Sequence, residues 1–155
     1  MFPDFPDAEE DIKGIQFDTE DIEFSAPDTQ KLTDWIRTII DRENCVLENI
    51  NYIFCSDDYL HKINVEHLNH DTYTDIITFP YAPPPTVESD IFISIDRVRA
   101  NAKTFEVSFQ KEFLRVVIHG VLHLCGYGDK TDAEAKIMRR KEEEAINIYE
   151  ENTLR

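Results

Sequence analysis

The stretch FLRVVIHGVLHL (113–124) constrains this chain more than any other. On a helical wheel it is apolar almost all round. A helix of that kind does not lie on a surface; other elements must cover it. The rest of the chain therefore has to supply layers around it. With 155 residues, 41% of them hydrophobic, there is enough material for one domain with a real core. A single domain spanning 1–155 is expected, with the Pro- and acid-rich stretch 1–11 frayed.

The covering layers can be read in order. GIQFDTEDIEF (14–24) has β-type content and suits a first strand or a short pair. Asp28 reads as the N-cap of a helix to about Asn44, with Leu32, Trp35, Ile36, Ile39 and Ile40 at helical spacing. NINYIFCS (49–56) alternates as a strand, and Asp57 suits the cap of a short helix to about His67. TDIITFPY (74–81) and DIFISID (90–96) are strands, separated by YAPPPTVES, a nine-residue loop. RVRANAKTF (97–105), SFQKEFLRVVIHGVLHL (108–124) and KTDAEAKIMRRKEEEAINIYEE (130–151) are helices. The expected class is α+β: a small, mostly mixed β-sheet covered by helices, with the apolar helix central.

That helix carries HGVLHLCGYGD (119–129). Residues four apart lie one above the other on a helix, so His119 and His123 can aim two imidazoles at one point. Gly126 suits the left-handed position that stops a helix, and Thr131 with Glu134 forms a capping box that starts the next. Asp129 falls in the short loop between them and can fold back. Two imidazole nitrogens and a carboxylate oxygen leave one tetrahedral position open, the pattern of a catalytic metal site. An HxxxH pair alone would be weak, because buried histidines are often simply hydrogen-bonded. HxxxHxxGxxD is more specific: it repeats the spacing of the zincin motif with Asp for the last His. Gly120, a helical glycine that costs about 1 kcal/mol relative to alanine, fits either close approach of a ligand to the backbone or tight helix packing.

The formal charge is −16, and residues 1–30 alone contribute −9. An acidic body is a poor generic nucleic-acid binder, so attraction to RNA would have to be local. Lys136, Arg139, Arg140 and Lys141 offer a basic cluster, read either as a salt-bridged solvent face or as an RNA-backbone contact. Asp75 is either an outer partner of a histidine or a strand-start turn residue. His61 and His67 read as solvated or hydrogen-bonded, and Cys125 as a small buried residue off the ligand face. Three cysteines without a CxxC, no secretory-type N-terminus and no apolar run of membrane-spanning length point to a cytoplasmic protein without disulfides.

HGVLHLCGYGD resembles the HGxLHLxGYDH signature of the YbeY family of bacterial endoribonucleases. The resemblance extends over most of the chain: INVEHLNHDTYTDIITFPY (63–81), SDIFIS (89–94) and Glu112, seven residues before the motif, are similar to family stretches. It implies an α+β fold and a single zinc ion held by His119, His123 and Asp129. It also implies single-strand-specific cleavage of RNA in small-subunit (16S) ribosomal RNA maturation and ribosome quality control. The partners implied are ribosomal RNA and the small ribosomal subunit, with no DNA and no membrane, acting as a monomer or weak oligomer. Two departures stand out. Asp129 replaces the third histidine, and Gly128 stands where the family commonly has Asp. Shifting the alignment by one would put Lys130 in the ligand slot, which a protonated lysine cannot fill. A family arginine that contacts RNA aligns with Leu68, leaving His70 or Lys130 to face phosphate. Two other readings stay open: a ribosome-associated metal protein without catalysis, and a zincin-like hydrolase with Glu112 as its acid or base. With Gly120 in place of the usual glutamate, the metal itself must do more of the work.

Overall fold

A computed structural model describes residues 14–151; the stretch 1–11 lies outside the described residues. The elements are β1 (Gly14–Thr19), α1 (Thr29–Arg42), β2 (Val46–Cys55), α2 (Asp57–Leu68), β3 (Ile76–Pro80), β4 (Thr86–Ser94), α3 (Ile95–Thr104), α4 (Phe109–Leu124) and α5 (Asp132–Glu150). The strands form one mixed sheet in the order β1-β2-β4-β3. β1, β2 and β4 run parallel, and β3 pairs antiparallel with β4. This is the α+β arrangement expected, with α4 in the middle. None of the described helices is long and apolar enough to cross a membrane.

Strand alternation sorts the core to two faces. Ile50, Tyr52 and Phe54 of β2 and Val87, Ile91 and Ile93 of β4 face α1, α4 and α5, where the larger core lies. Cys55 and Ile77 face the other way, against Leu60 of α2, with Phe79 and Phe92 packed beside them. Two buried polar groups in the larger core are paired across elements. The Tyr52 hydroxyl donates to the Val117 carbonyl of α4 at 3.0 Å, and the Trp35 indole donates to the Ala145 carbonyl of α5 at 2.7 Å.

Three local expectations change. Ser56, not Asp57, caps α2, its hydroxyl accepting from Tyr59 N at 3.1 Å. The Asp57 carboxylate is drawn instead to Arg97 Nη2 at 2.6 Å and to the Ser94 hydroxyl at 3.1 Å. The loop before β4 is residues 81–85 rather than 81–89. β4 begins at Thr86 because β2 extends back to Val46, and the two pair there. Ser89 hides this in the sequence: it is polar but buried, its hydroxyl donating to the Phe79 carbonyl at 3.0 Å. Finally, β1 ends at Thr19, and Phe24 joins the aromatic core instead, edge-on to Phe54 with ring centroids 5.3 Å apart.

Gly120 lies where α4 crosses the sheet. A Cβ there would meet Ile76 Cδ1 at 3.0 Å, Ile91 Cδ1 at 3.3 Å and Thr78 Cγ2 at 3.4 Å. Tight packing of helix on sheet accounts for the glycine. In Gly120→Ala, the helical gain of about 1 kcal/mol is expected to be cancelled by crowding, leaving the melting temperature nearly unchanged. Gly120→Val has no such compensation and should lose about 1–3 kcal/mol, read from chemical denaturation.

Candidate metal centre

From Glu112 to Leu124 every residue of α4 is buried except Arg115, His119 and His123. These three are spaced by four and form a stripe along one side of the helix. After Leu124 the chain turns through a Schellman motif: Gly126 N donates to the His123 carbonyl at 2.9 Å and Tyr127 N to the Leu122 carbonyl at 3.0 Å. Gly126 has φ +113°, a conformation glycine adopts freely. The Tyr127 hydroxyl donates to Glu43 Oε1 at 2.6 Å and ties the turn to the end of α1. The Thr131–Glu134 capping box then starts α5. Glu134 Oε1 also accepts from Lys130 N at 3.0 Å, and a Cβ on Gly128 would sit 3.0 Å from that same oxygen. A glycine at 128 thus leaves room for the cap.

The turn returns Asp129 to the histidine stripe. Its Oδ2 lies 3.4 Å from His119 Nε2 and 3.4 Å from His123 Nε2. The three groups each offer one ligand atom, all within 4.8 Å of one another, and could hold a metal ion. Bonds of about 2.0–2.1 Å around a tetrahedral zinc imply ligand separations of roughly 3.3–3.4 Å. The two distances to Asp129 already match. Lys130 is exposed and carries its backbone, not its side chain, into the cap. Cys125 is not in the group; burial pushes its thiol well above the ordinary range, and the Cys45 thiol beside it adds to the shift.

Glu142 of α5 is the residue that reading the sequence missed. It stands in a run of three glutamates that looks like a solvent face, yet it is only 4% exposed. Its Oε2 accepts from His119 Nδ1 at 2.7 Å. A carboxylate only accepts, so Nδ1 carries the proton and Nε2 keeps its lone pair for the Asp129 side. This is the arrangement in which an outer carboxylate would orient a metal-binding histidine. Arg115 closes the same network, with Nη1 3.2 Å from Glu142, Nη2 2.8 Å from Glu143 and Nε 3.5 Å from Glu112. Burial by itself pulls the His119 imidazole down. The hydrogen bond and charge of Glu142, with Asp129 and Asp75, outweigh it and hold the group above its ordinary value.

Beside this network lies a cavity of about 310 Å³, whose walls include Asp75, Glu112, His119, Asp129 and Glu142. Asp75 makes no hydrogen bond to a histidine; it faces the same space. Burial raises its carboxyl above the ordinary range despite the opposing pull of His119. Burial likewise raises Glu112, against the pull of Arg115. His123 opens onto a second cavity of about 380 Å³, walled by Thr78, Pro80, Pro83 and Pro84. The other expected residues lie elsewhere. His61 Nε2 is 2.9 Å from Asp71 and its ring stacks on Tyr73; His67 packs edge-on to Phe79. Leu68 and His70 are exposed at the end of α2, and neither lines these cavities. The basic cluster divides: Lys141 pairs with Glu43 at 3.1 Å, Arg140 with Glu144 at 3.8 Å, and Arg139 lines the first cavity.

The family model for endoribonuclease YbeY matches residues 14–150. The endoribonuclease YbeY of Flavobacterium johnsoniae is 53% identical over 135 residues, covering 87% of this chain and 96% of the relative. That of Amoebophilus asiaticus is 51% identical over 129 residues, covering 83% and 88%. Among solved structures, a solution structure of a Thermotoga maritima protein aligns with a TM-score of 0.62 at 28% identity, covering 90% of this chain and 93% of that one.

Two outcomes follow from the geometry. Glu142→Gln removes the charge behind His119 and should weaken zinc binding by roughly 10–100-fold, measured by competition with a chromogenic chelator. Asp75 is protonated more easily in the folded than in the unfolded chain, so it contributes stability at acid pH that is lost as pH rises through its folded value. Metal-free Asp75→Asn should therefore melt higher than the unmodified protein at neutral pH. The gap should close once the pH falls below the ordinary aspartate value.

Proposed function

The chain belongs to the YbeY family of endoribonucleases, and from that premise we propose that it is a zinc-dependent, single-strand-specific endoribonuclease acting in maturation of small-subunit (16S) ribosomal RNA and in ribosome quality control. Its partners in this reading are ribosomal RNA and the small subunit, met in the cytoplasm by a monomer or weak oligomer. The observation that carries the reading is Asp129 Oδ2 at 3.4 Å from both histidine Nε2 atoms, beside a cavity lined by His119 and Asp129. His119, His123 and Asp129 would hold one zinc ion, and a three-residue set leaves a position for substrate. When bound, the ion supplies Lewis-acid polarisation of a phosphoryl oxygen or acidification of a water.

The protein side of the reaction is positioning. Glu142 fixes the His119 ring, and Arg115 fixes Glu142. Asp129 in place of a histidine adds negative charge to the ligand set, which tempers the polarising power of the ion. Gly120 offers no base where HExxH peptidases have their glutamate, and its site is filled by the packing of helix on sheet. Glu112, the acid that a peptidase reading would require, is 2% exposed and ion-paired with Arg115. Both points favour phosphodiester over peptide chemistry. Lys130, exposed next to Asp129, and His70, exposed past the end of α2, are proposed to meet the RNA backbone outside the cavity.

Zinc-loaded protein is expected to cleave small-subunit ribosomal RNA. Asp129→Ala should lose more than the roughly 10–100-fold that loss of an outer partner costs, and chelation should abolish cleavage. If all three samples are inactive while zinc binds tightly, the protein is a metal-bearing binder instead. Gain of cleavage in Leu68→Arg would then trace the loss to the missing arginine.

A further inference from the structure

The cavity beside the ligand triad has two rim residues that the metal centre does not use. Arg139 projects from α5 one turn before Glu142, with its side chain 73% exposed. Its ion pair is a long one, 3.9 Å to Glu142 Oε1, an oxygen that Arg115 already bonds. Phe105 closes the C-terminal end of α3 and is 59% exposed. Both line the cavity that His119 and Asp129 also line, as does Asn101 of α3.

Resting on the nuclease reading above, we propose that this cavity is the nucleotide subsite next to the scissile bond, with Arg139 bonding the phosphate and Phe105 stacking the base. Four observations support it. The volume, about 310 Å³, falls within the range of small-ligand sites. Arg115 cannot serve as the phosphate cation, because Glu112, Glu142 and Glu143 already occupy its guanidinium. Arg140 and Lys141 pair with Glu144 and Glu43 and do not line the cavity. Leu68, exposed at the end of α2, lies outside the cavity and carries no charge. Arg139 thus delivers from α5 the local cation that a chain of net charge −16 needs at its site. A planar guanidinium suits a phosphate's two oxygens, and an exposed phenyl ring stacks any base without reading it.

The test is fluorescence anisotropy of a labelled single-stranded decaribonucleotide on the full-length protein, with chelator present so that nothing is cut. Arg139→Gln should weaken binding about ten-fold at low salt and make the log–log salt slope shallower by about one. Phe105→Ala should weaken binding about ten-fold with the slope unchanged, and Phe105→Trp should restore it. Lys136→Gln, on the same helix but outside the cavity, should leave the dissociation constant close to that of the unmodified protein. In zinc-loaded cleavage of the same oligonucleotide, Arg139→Gln should raise KM more than it lowers kcat. Unchanged binding and slope in both Arg139→Gln and Phe105→Ala overturn the subsite, while cleavage by the unmodified protein leaves the nuclease reading standing. An unmodified protein that neither binds nor cleaves RNA overturns both.

Discussion

Helix α4 has to be buried on nearly every side and still present two imidazoles to a cleft. Those demands conflict, and the structure reconciles them with a stripe one residue wide. Arg115, His119 and His123 are the half-buried positions between Glu112 and Leu124. Around that stripe the sheet presses close at Gly120, α1 and α5 close the apolar flanks, and the Schellman turn brings Asp129 back within 3.4 Å of both rings. The same helix backbone serves both the core and the candidate metal centre.

The stripe is held electrostatically from the other side. Asp129, His119, Glu142, Arg115, Glu112 and Glu143 form a continuous chain of charges running from the turn to the far end of α4. A buried carboxylate such as Glu142 is tolerable only while both its oxygens are occupied, and His119 and Arg115 occupy them. Acidic groups outnumber basic ones in the cavity, and this suits a site that could hold a cation. The whole-chain charge of −16 is therefore no obstacle to RNA chemistry. It means that any attraction to RNA has to be local.

Much of this was legible from spacing. The HxxxHxxGxxD pattern placed the three potential ligands, and the T-x-x-E box and Gly126 placed the turn that joins them, because caps and left-handed glycines are short-range devices. Where neighbours decide, local reading misled. Asp57 is as good a cap as Ser56 until Arg97 and Ser94 claim its carboxylate. Ser89 looks like loop until Phe79 accepts its hydroxyl inside the sheet. Glu142 looks like one of three surface glutamates until α5 lies against α4. The helical period of α5 carries the one available hint, since Met138, Glu142, Ala145 and Tyr149 share its buried face.

The sequence by itself determined that a helix apolar almost all round must sit at the centre, that two histidines share its face and that a carboxylate follows the turn. These depend on contacts within a dozen residues, which helix geometry and turn chemistry dictate. Tertiary structure alone decided what stands behind His119, why residue 120 is glycine, and which one of four neighbouring cations reaches the cavity. Each of those depends on segments far apart in the chain coming together: Glu142 on His119, Ile76 and Ile91 on Gly120, and Arg139 and Phe105 on the walls of one cavity. No local pattern encodes such a meeting, because it is set by the packing of whole helices on the sheet.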